Sequence, residues 1–247
     1  MSDGGAKRWA TRSDDDTRTT LADALRSFPR RAVEPNGYKP AAVAIAVVTS
    51  PEGPAIWLTE RAATLRAHAG QLALPGGRLD PGEDTIAAAL RELHEELGVE
   101  LNRSAALGLL DDYPTRSGYI MTPVVAWVGE DPGLAPNPAE VAVVHRIPFA
   151  ELDVEPTFGR IAGSDRPLIR LPLLGGFLHA PTAAILHQFR EVALHGRHTR
   201  GRSDGTTPLR LGMSRRRLRL RAPARTPTTT DAYRPASTPR HACPGAG

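Results

Sequence analysis

The tightest constraint on the fold lies between Gly77 and Val99, GRLDPGEDTIAAALRELHEELGV. Asp84 is placed to serve as a first-turn acid, and no Gly or Pro follows it until Gly98, a natural helix stop. Ile86, Leu90, Leu93 and Leu97 recur at spacings of four, three and four, which makes one apolar stripe. At about 100° per residue, Glu92, Glu95 and Glu96 fall on a different face. Like charges crowded at helical spacing repel, and no Lys stands four residues on to relieve them. A solvated acidic face is the plain reading. The alternative is that a cation balances the charge, and oxygen ligands on one rigid face suit Mg²⁺ or Mn²⁺.

The loop leading into this helix favours the cation. Pro75-Gly76-Gly77 and Pro81-Gly82 bracket a turn whose glycines let backbone come close to a metal or phosphate. The whole stretch reads G-x(5)-E-x(7)-R-E-U-x-E-E-x-G-U, with U apolar. Gly77, Glu83, Arg91, Glu92, Leu93, Glu95, Glu96, Gly98 and Val99 fill every fixed position. This resembles the box of the Nudix hydrolases, with no departure. The resemblance implies a loop–helix–loop that binds divalent metal and cleaves a nucleoside diphosphate linked to another group. Within it Glu92 and Glu96, one turn apart, are the best ligand pair. Glu95 completes the site or takes a second ion, and the Gly76 carbonyl is a further ligand. Arg91 is placed to hold a carboxylate, Glu83 or a neighbour, in position.

A second resemblance lies just upstream. The coenzyme A pyrophosphatase branch of the Nudix family carries L-L-T-x-R-[SA]-x(3)-R-x(3)-G-x(3)-F-P-G-G. Leu58, Thr59, Arg61, Ala62, Arg66, Gly70, Pro75, Gly76 and Gly77 match it, while Trp57 replaces a Leu and Leu74 the Phe. Arg61 and Arg66 are planar donors suited to bidentate phosphate contacts. With Gly70, Gly76 and Gly77 they form the expected substrate-binding set. Without that resemblance the stretch reads as a surface loop with two ordinary arginines.

Charge is unevenly spread. Residues 198–247 hold eleven Arg and two Asp, a net +9, which leaves −5 for residues 1–197 of the overall +4. Basicity is thus a property of the tail, and a nucleic-acid-binding fold is not indicated. One cysteine, Cys243, gives no disulfide framework and no zinc spacing. The first residues lack an apolar signal region, and AAVAIAVV at 41–48 is too short to span a membrane. The expected location is cytoplasmic.

Along the chain, residues 1–19 are expected to be flexible. Thr20 and Asp23 form a capping pair for a helix over Leu21–Phe28. Strands are expected at Ala42–Val48, Ala55–Thr59, Ala106–Leu110, Tyr119–Val128, Val141–Ile147 and Leu168–Leu171, with a connecting loop over Tyr113–Gly118. Glu140, after the proline-rich Pro132–Pro138, is the candidate for an additional acid outside the box. A last helix is expected over Pro181–Leu194. Residues 198–247, rich in Arg, Pro and Thr, bury too little apolar surface to offset their ordering entropy and are expected to be disordered.

The architecture implied by the resemblance is a single α/β/α sandwich with a mixed sheet over residues 20–197. The implied reaction is metal-dependent cleavage of the diphosphate of coenzyme A or acyl-CoA, giving 3′,5′-ADP and 4′-phosphopantetheine or its acyl form. A Nudix pyrophosphatase for ADP-ribose or dinucleotides is the alternative enzyme. A non-catalytic ligand sensor on the same fold is the alternative of another class, disfavoured by the intact Glu92, Glu95 and Glu96. The expected partner is a small molecule, with no membrane and no specific nucleic acid, and a homodimer is left open.

Overall fold

The computed structural model describes residues 9, 11–63, 70–160, 167–198 and 232–233. Its centre is β1 (Lys39–Thr49), whose alternation sorts side chains by size. Val43, Ile45 and Val47 enter one apolar cluster, while Ala42, Ala44, Ala46 and Val48 enter another on the opposite face. Successive strand residues point to opposite faces, so AAVAIAVV presents bulky groups to one layer and mostly methyls to the other. The small face receives helix α2 (Thr85–Leu97), whose Ala88, Ala89, Leu93 and Leu97 are fully buried there. The bulky face receives α1 (Asp14–Ser27), α3 (Phe149–Leu152) and α4 (Thr182–Phe189). The sheet therefore lies between helices, as expected.

On one side β1 pairs in parallel with β7 (Tyr119–Glu130), from Lys39↔Tyr119 to Thr49↔Glu130. On its other side it changes partner along its length. Val47 and Val48 pair with β2 (Ala55–Arg61), whereas Ala41 to Val43 pair with β4 (Gly76–Arg78). Between them the Ala44 N–H donates to the Pro75 carbonyl at 2.8 Å. The glycine segment thus fills the gap where β2 leaves β1, directly beneath α2. A strand built from Gly-Gly-Arg has little propensity of its own; it exists because β1 offers it an edge. β2 continues beside β3 (Leu72–Ala73) and β8 (Val141–Pro148). β5 (Ala106–Leu109) and β6 (Tyr113–Pro114) pair with β7, so the expected loop over Tyr113–Gly118 begins with two strand residues. A second sheet holds β9 (Thr157–Arg160), β10 (Pro167–Leu173) and β11 (Gly176–His179).

Beyond strands that run a few residues longer than expected, three differences from the sequence expectation stand out. The first helix begins at Asp14, not Leu21: Ser13 caps it by accepting from the Asp16 N–H, and Asp14, Asp15 and Asp16 fill a first turn where the helix dipole favours acids. Thr17 is buried one turn before Leu21 and Leu25, so the packed stripe starts on a polar residue that apolar spacing does not reveal. Within the expected flexible segment 1–19, residues 14–19 are therefore helical. The last helix is α-helical only to Phe189 and continues as a π-helical turn over Arg190–Leu194. Within the tail expected to be disordered, β12 (Ala232–Tyr233) pairs antiparallel with β8, Ala232↔His145 and Tyr233↔Val144. The other residues beyond 198 lie outside the described ones. Among the described residues no helix is long and apolar enough to cross a membrane.

Candidate active site

Helix α2 carries its own punctuation. The Asp84 carboxylate caps it, accepting from the Ile86 and Ala87 N–H groups at 3.0 Å each. Those bonds, foremost that of Ala87, and Arg103 beside it hold the Asp84 carboxyl below its usual range. Gly98 ends the helix at φ 73°, in the left-handed region that glycine tolerates.

One guanidinium organises most of the acids. Arg91 grips Glu83 with two parallel bonds, Nε to Oε1 at 3.0 Å and Nη2 to Oε2 at 3.1 Å. Its Nη1 donates to Glu92 Oε1 at 3.0 Å and to Glu95 Oε2 at 2.9 Å, and Nη2 also donates to the Arg78 carbonyl at 3.0 Å. The Glu83 carboxyl is pulled below its ordinary range, chiefly by the Arg91 bond. The relief absent downstream, a Lys four residues on, comes instead from a residue one turn before Glu95.

Glu96 lies outside that grip. It is 3 % exposed, and its Oε1 accepts a long bond from the Gly76 N–H at 3.3 Å. Burial raises its pKa to about 7; the Gly76 N–H and Arg61 oppose the rise, while Glu92 and Glu140 add to it. Burial likewise pushes Glu92 up, against Arg91. Glu83, Glu92, Glu95, Glu96 and Glu140 are thus set against Arg91 and Arg61, an excess of negative charge partly removed from water.

The glycine segment is shaped around these carboxylates. A Cβ on Gly77 would stand 2.1 Å from Glu92 Oε1, and one on Gly76 would stand 2.3 Å from the Ala42 carbonyl. At Gly76 the clash is with backbone and glycine is required, whereas at Gly77 a Cβ would push the Glu92 carboxylate out of its position. Gly70, at φ 68°, closes a loop neck: its N–H donates to the Arg61 carbonyl at 3.0 Å, and the Arg61 N–H donates to the Gln71 carbonyl at 3.1 Å. Arg61 shares the α2-facing side of β2 with Trp57, and its charge reaches Glu96. Arg66 lies outside the described residues.

Glu140 comes in from the other side. The Ala135 and Asn137 N–H groups donate to the Leu97 and Glu96 carbonyls, 2.9 Å each, which occupies two acceptors that the end of α2 leaves open. The Glu140 carbonyl in turn accepts from Ala62 N–H at 2.8 Å. Glu140 is among the expected acids and Asn137 is not; the signal for Asn137 is the run Pro136-Asn137-Pro138, in which Asn alone has a backbone donor. Nor is Asp80, whose N–H donates to Glu83 Oε2 at 3.0 Å.

The donor set suits a hard divalent cation: oxygen ligands only, excess negative charge, a buried carboxylate to which no Arg or Lys among the described residues donates, and a glycine cradle. Among the described residues no three acidic, imidazole or thiol groups converge as a ready cage, because Arg91 draws Glu92 and Glu95 toward itself. Glu92, Glu96 and the Gly76 segment are the groups brought together, and Glu95 is half-exposed at the rim.

The family model described as NUDIX domain matches residues 39–171. The protein named Uncharacterized Nudix hydrolase NudL from Photorhabdus laumondii is 40% identical over 140 residues, spanning 53% of this chain and 73% of that protein. Its namesake from Shigella flexneri serotype 5b is 38% identical over 137 residues, 53% of this chain and 71% of that one. Among solved structures, the Nudix hydrolase RenU from M. smegmatis is 25% identical and covers 63% of this chain and 86% of its own, with a TM-score of 0.41. With the family model matched over more than half of its length and relatives of this similarity, the chain belongs to the Nudix hydrolases, enzymes that act on diphosphate bonds.

Proposed function

We propose that the protein hydrolyses the diphosphate of coenzyme A or an acyl-CoA, releasing 3′,5′-ADP and 4′-phosphopantetheine or its acyl form, with Mg²⁺ or Mn²⁺. The observation that carries the substrate assignment is Arg61: a residue of the upstream coenzyme A-type stretch that lies on the α2-facing side of β2, within electrostatic reach of Glu96. A divalent cation, when bound, neutralises the diphosphate and lowers the pKa of an attacking water. Glu92 and Glu96 would hold it, with Glu95 and the Gly76 carbonyl completing the set and Glu140 as the additional acid. Arg91 keeps Glu92 and Glu95 aimed by occupying the remaining oxygens, with Glu83 as its counterweight. Gly77 leaves room for Glu92 beside the loop. The proton of the attacking water passes to one of these carboxylates as the new phosphorus–oxygen bond forms and the bridging oxygen leaves.

Arg61 and Arg66 would meet the phosphates that distinguish coenzyme A. A charge-assisted contact of this kind is worth about 1.5–3 kcal/mol, roughly ten- to a hundredfold in specificity. The test is a panel of coenzyme A, 3′-dephospho-coenzyme A, ADP-ribose and NADH with Mg²⁺ and Mn²⁺, products identified by mass. The expected result is the highest kcat/KM for coenzyme A, lowered in Arg61→Ala. Faster turnover of ADP-ribose by the unmodified protein would reject the coenzyme A assignment and leave the general Nudix activity standing.

A further inference from the structure

The loop over residues 131–140 is drawn onto the end of α2 by the Ala135 and Asn137 N–H groups, and the second of these stands between two prolines. Pro136 and Pro138 have no N–H, so the backbone there has a single donor, that of Asn137, and it goes to the Glu96 carbonyl at 2.9 Å. The Asn137 side chain works on the other side of the loop. Its Oδ1 accepts from the Ala139 N–H at 3.1 Å, a turn that brings the chain back on itself. Its Nδ2 donates to Glu140 Oε1 at 3.4 Å. The Asn137 carbonyl then accepts from both Glu140 N–H, 3.0 Å, and Val141 N–H, 2.9 Å. One residue thus joins the backbone of the acid helix to the carboxylate of Glu140, across the start of β8.

We infer that Asn137 is a positioning residue that holds Glu140 toward Glu92 and Glu96, so that the additional acid and the helix acids act on one cation. The inference rests on the membership of Glu140 in the metal-binding group proposed above. The side chain here accepts from Ala139 through Oδ1 and donates to Glu140 through Nδ2, two atoms for two partners; a Ser hydroxyl has one oxygen on a shorter stem for both tasks, and an ionised carboxylate has no donor. Removal of such a supporting contact typically weakens metal affinity about ten- to a hundredfold.

The test is a double-mutant cycle read by Mn²⁺ binding, from the electron paramagnetic resonance of free Mn²⁺, with melting followed in parallel. Asn137→Ser keeps an acceptor oxygen for the turn and loses the reach to Glu140; Asn137→Thr serves if the Ser variant fails to fold. Expected is about a tenfold rise in the Mn²⁺ dissociation constant for Asn137→Ser with little change in Tm. Glu140→Gln should weaken binding at least as much, and Asn137→Ser should add nothing in the Glu140→Gln background. Unchanged Mn²⁺ affinity in Asn137→Ser beside a weakened Glu140→Gln, or the same loss in both backgrounds, would overturn the positioning role. Unchanged affinity in Glu140→Gln would remove Glu140 from the metal-binding group and the inference with it.

Discussion

Replacing Glu96 by Gln tests the electrostatics of the site without a metal, and then with one. Burial lifts the Glu96 pKa from the ordinary 4.5 to about 7 in the folded chain. The folded state therefore binds a proton more tightly than the unfolded one, and stability falls as pH rises from 4.5 to 7. The full loss is about 3 kcal/mol, present above pH 7 and absent well below the unfolded value. Gln cannot ionise, so its contribution is flat with pH. Its amide leaves N–H groups to satisfy in a 3 % exposed position, at a pH-independent cost of about 1–2 kcal/mol. In EDTA the variant should be the less stable protein at pH 4 and the more stable at pH 8, by about 1–2 kcal/mol each way. For a domain of this size that is a crossing of roughly 2–8 °C in Tm on either side. Adding Mn²⁺ at pH 8 should reverse the order: a hundredfold excess over Kd stabilises the unmodified protein by about 2.7 kcal/mol, and the variant by less. Diphosphate hydrolysis in the variant should fall at least about a hundredfold. A Tm difference between the two proteins that does not change from pH 4 to pH 8 would refute the buried-charge reasoning. Near-normal turnover would remove Glu96 from the chemistry.

Arg91→Lys keeps the charge and loses the fork, so kcat/KM should drop about ten- to a hundredfold while melting changes little; steady-state kinetics beside calorimetry separates the two. Gly77→Ala and Gly76→Ala should part company, because the first presses on a movable carboxylate and the second on the backbone of Ala42. Gly77→Ala should lose activity and Mn²⁺ affinity, whereas Gly76→Ala should lose roughly 1–3 kcal/mol of stability, read by urea unfolding. A chain ending at Arg197 should keep its fold and its hydrolytic activity, since β12 contributes two residues to an edge; loss of cooperative melting would show that the tail packs on the domain.

What could be read in the amino-acid order was local and punctuated. Gly98 stops α2 as its position predicts, while Asp84, expected as a first-turn acid, is the cap one residue earlier; of the expected stripe Ile86, Leu90, Leu93 and Leu97, Leu93 and Leu97 pack on the sheet together with Ala88 and Ala89, and Ile86 stays partly buried beside them. The burial of Glu96 was not readable. Helical spacing groups it with Glu92 and Glu95, but burial depends on how the helix lies against β1 and the glycine segment, a long-range fact. The same holds for β4, whose Gly-Gly-Arg has no strand preference until β1 supplies an open edge. The start of α1 was hidden by Thr17, a polar residue in a core position, and by three aspartates that look like solvated coil yet suit a helix N-terminus. Glu140 is legible as an acid just before a strand; the loop that carries it joins α2 by backbone hydrogen bonds, which leave only the prolines around Asn137 as a trace in the sequence.

The alanine row of β1 has a consequence for how this active site tolerates change. The strand supports both jaws of the site at once: the acid helix rests on Ala42, Ala44 and Ala46, and the glycine segment is stitched to its edge from Ala41 to Ala44. Those methyl groups act as a shim of fixed thickness. A thicker shim, Val in place of Ala44, would lift the helix while leaving the glycines where they are, opening the gap between Glu96 and Gly76 with no ligand altered. The spacing of the two jaws is thus set by buried methyl groups rather than by the acids themselves.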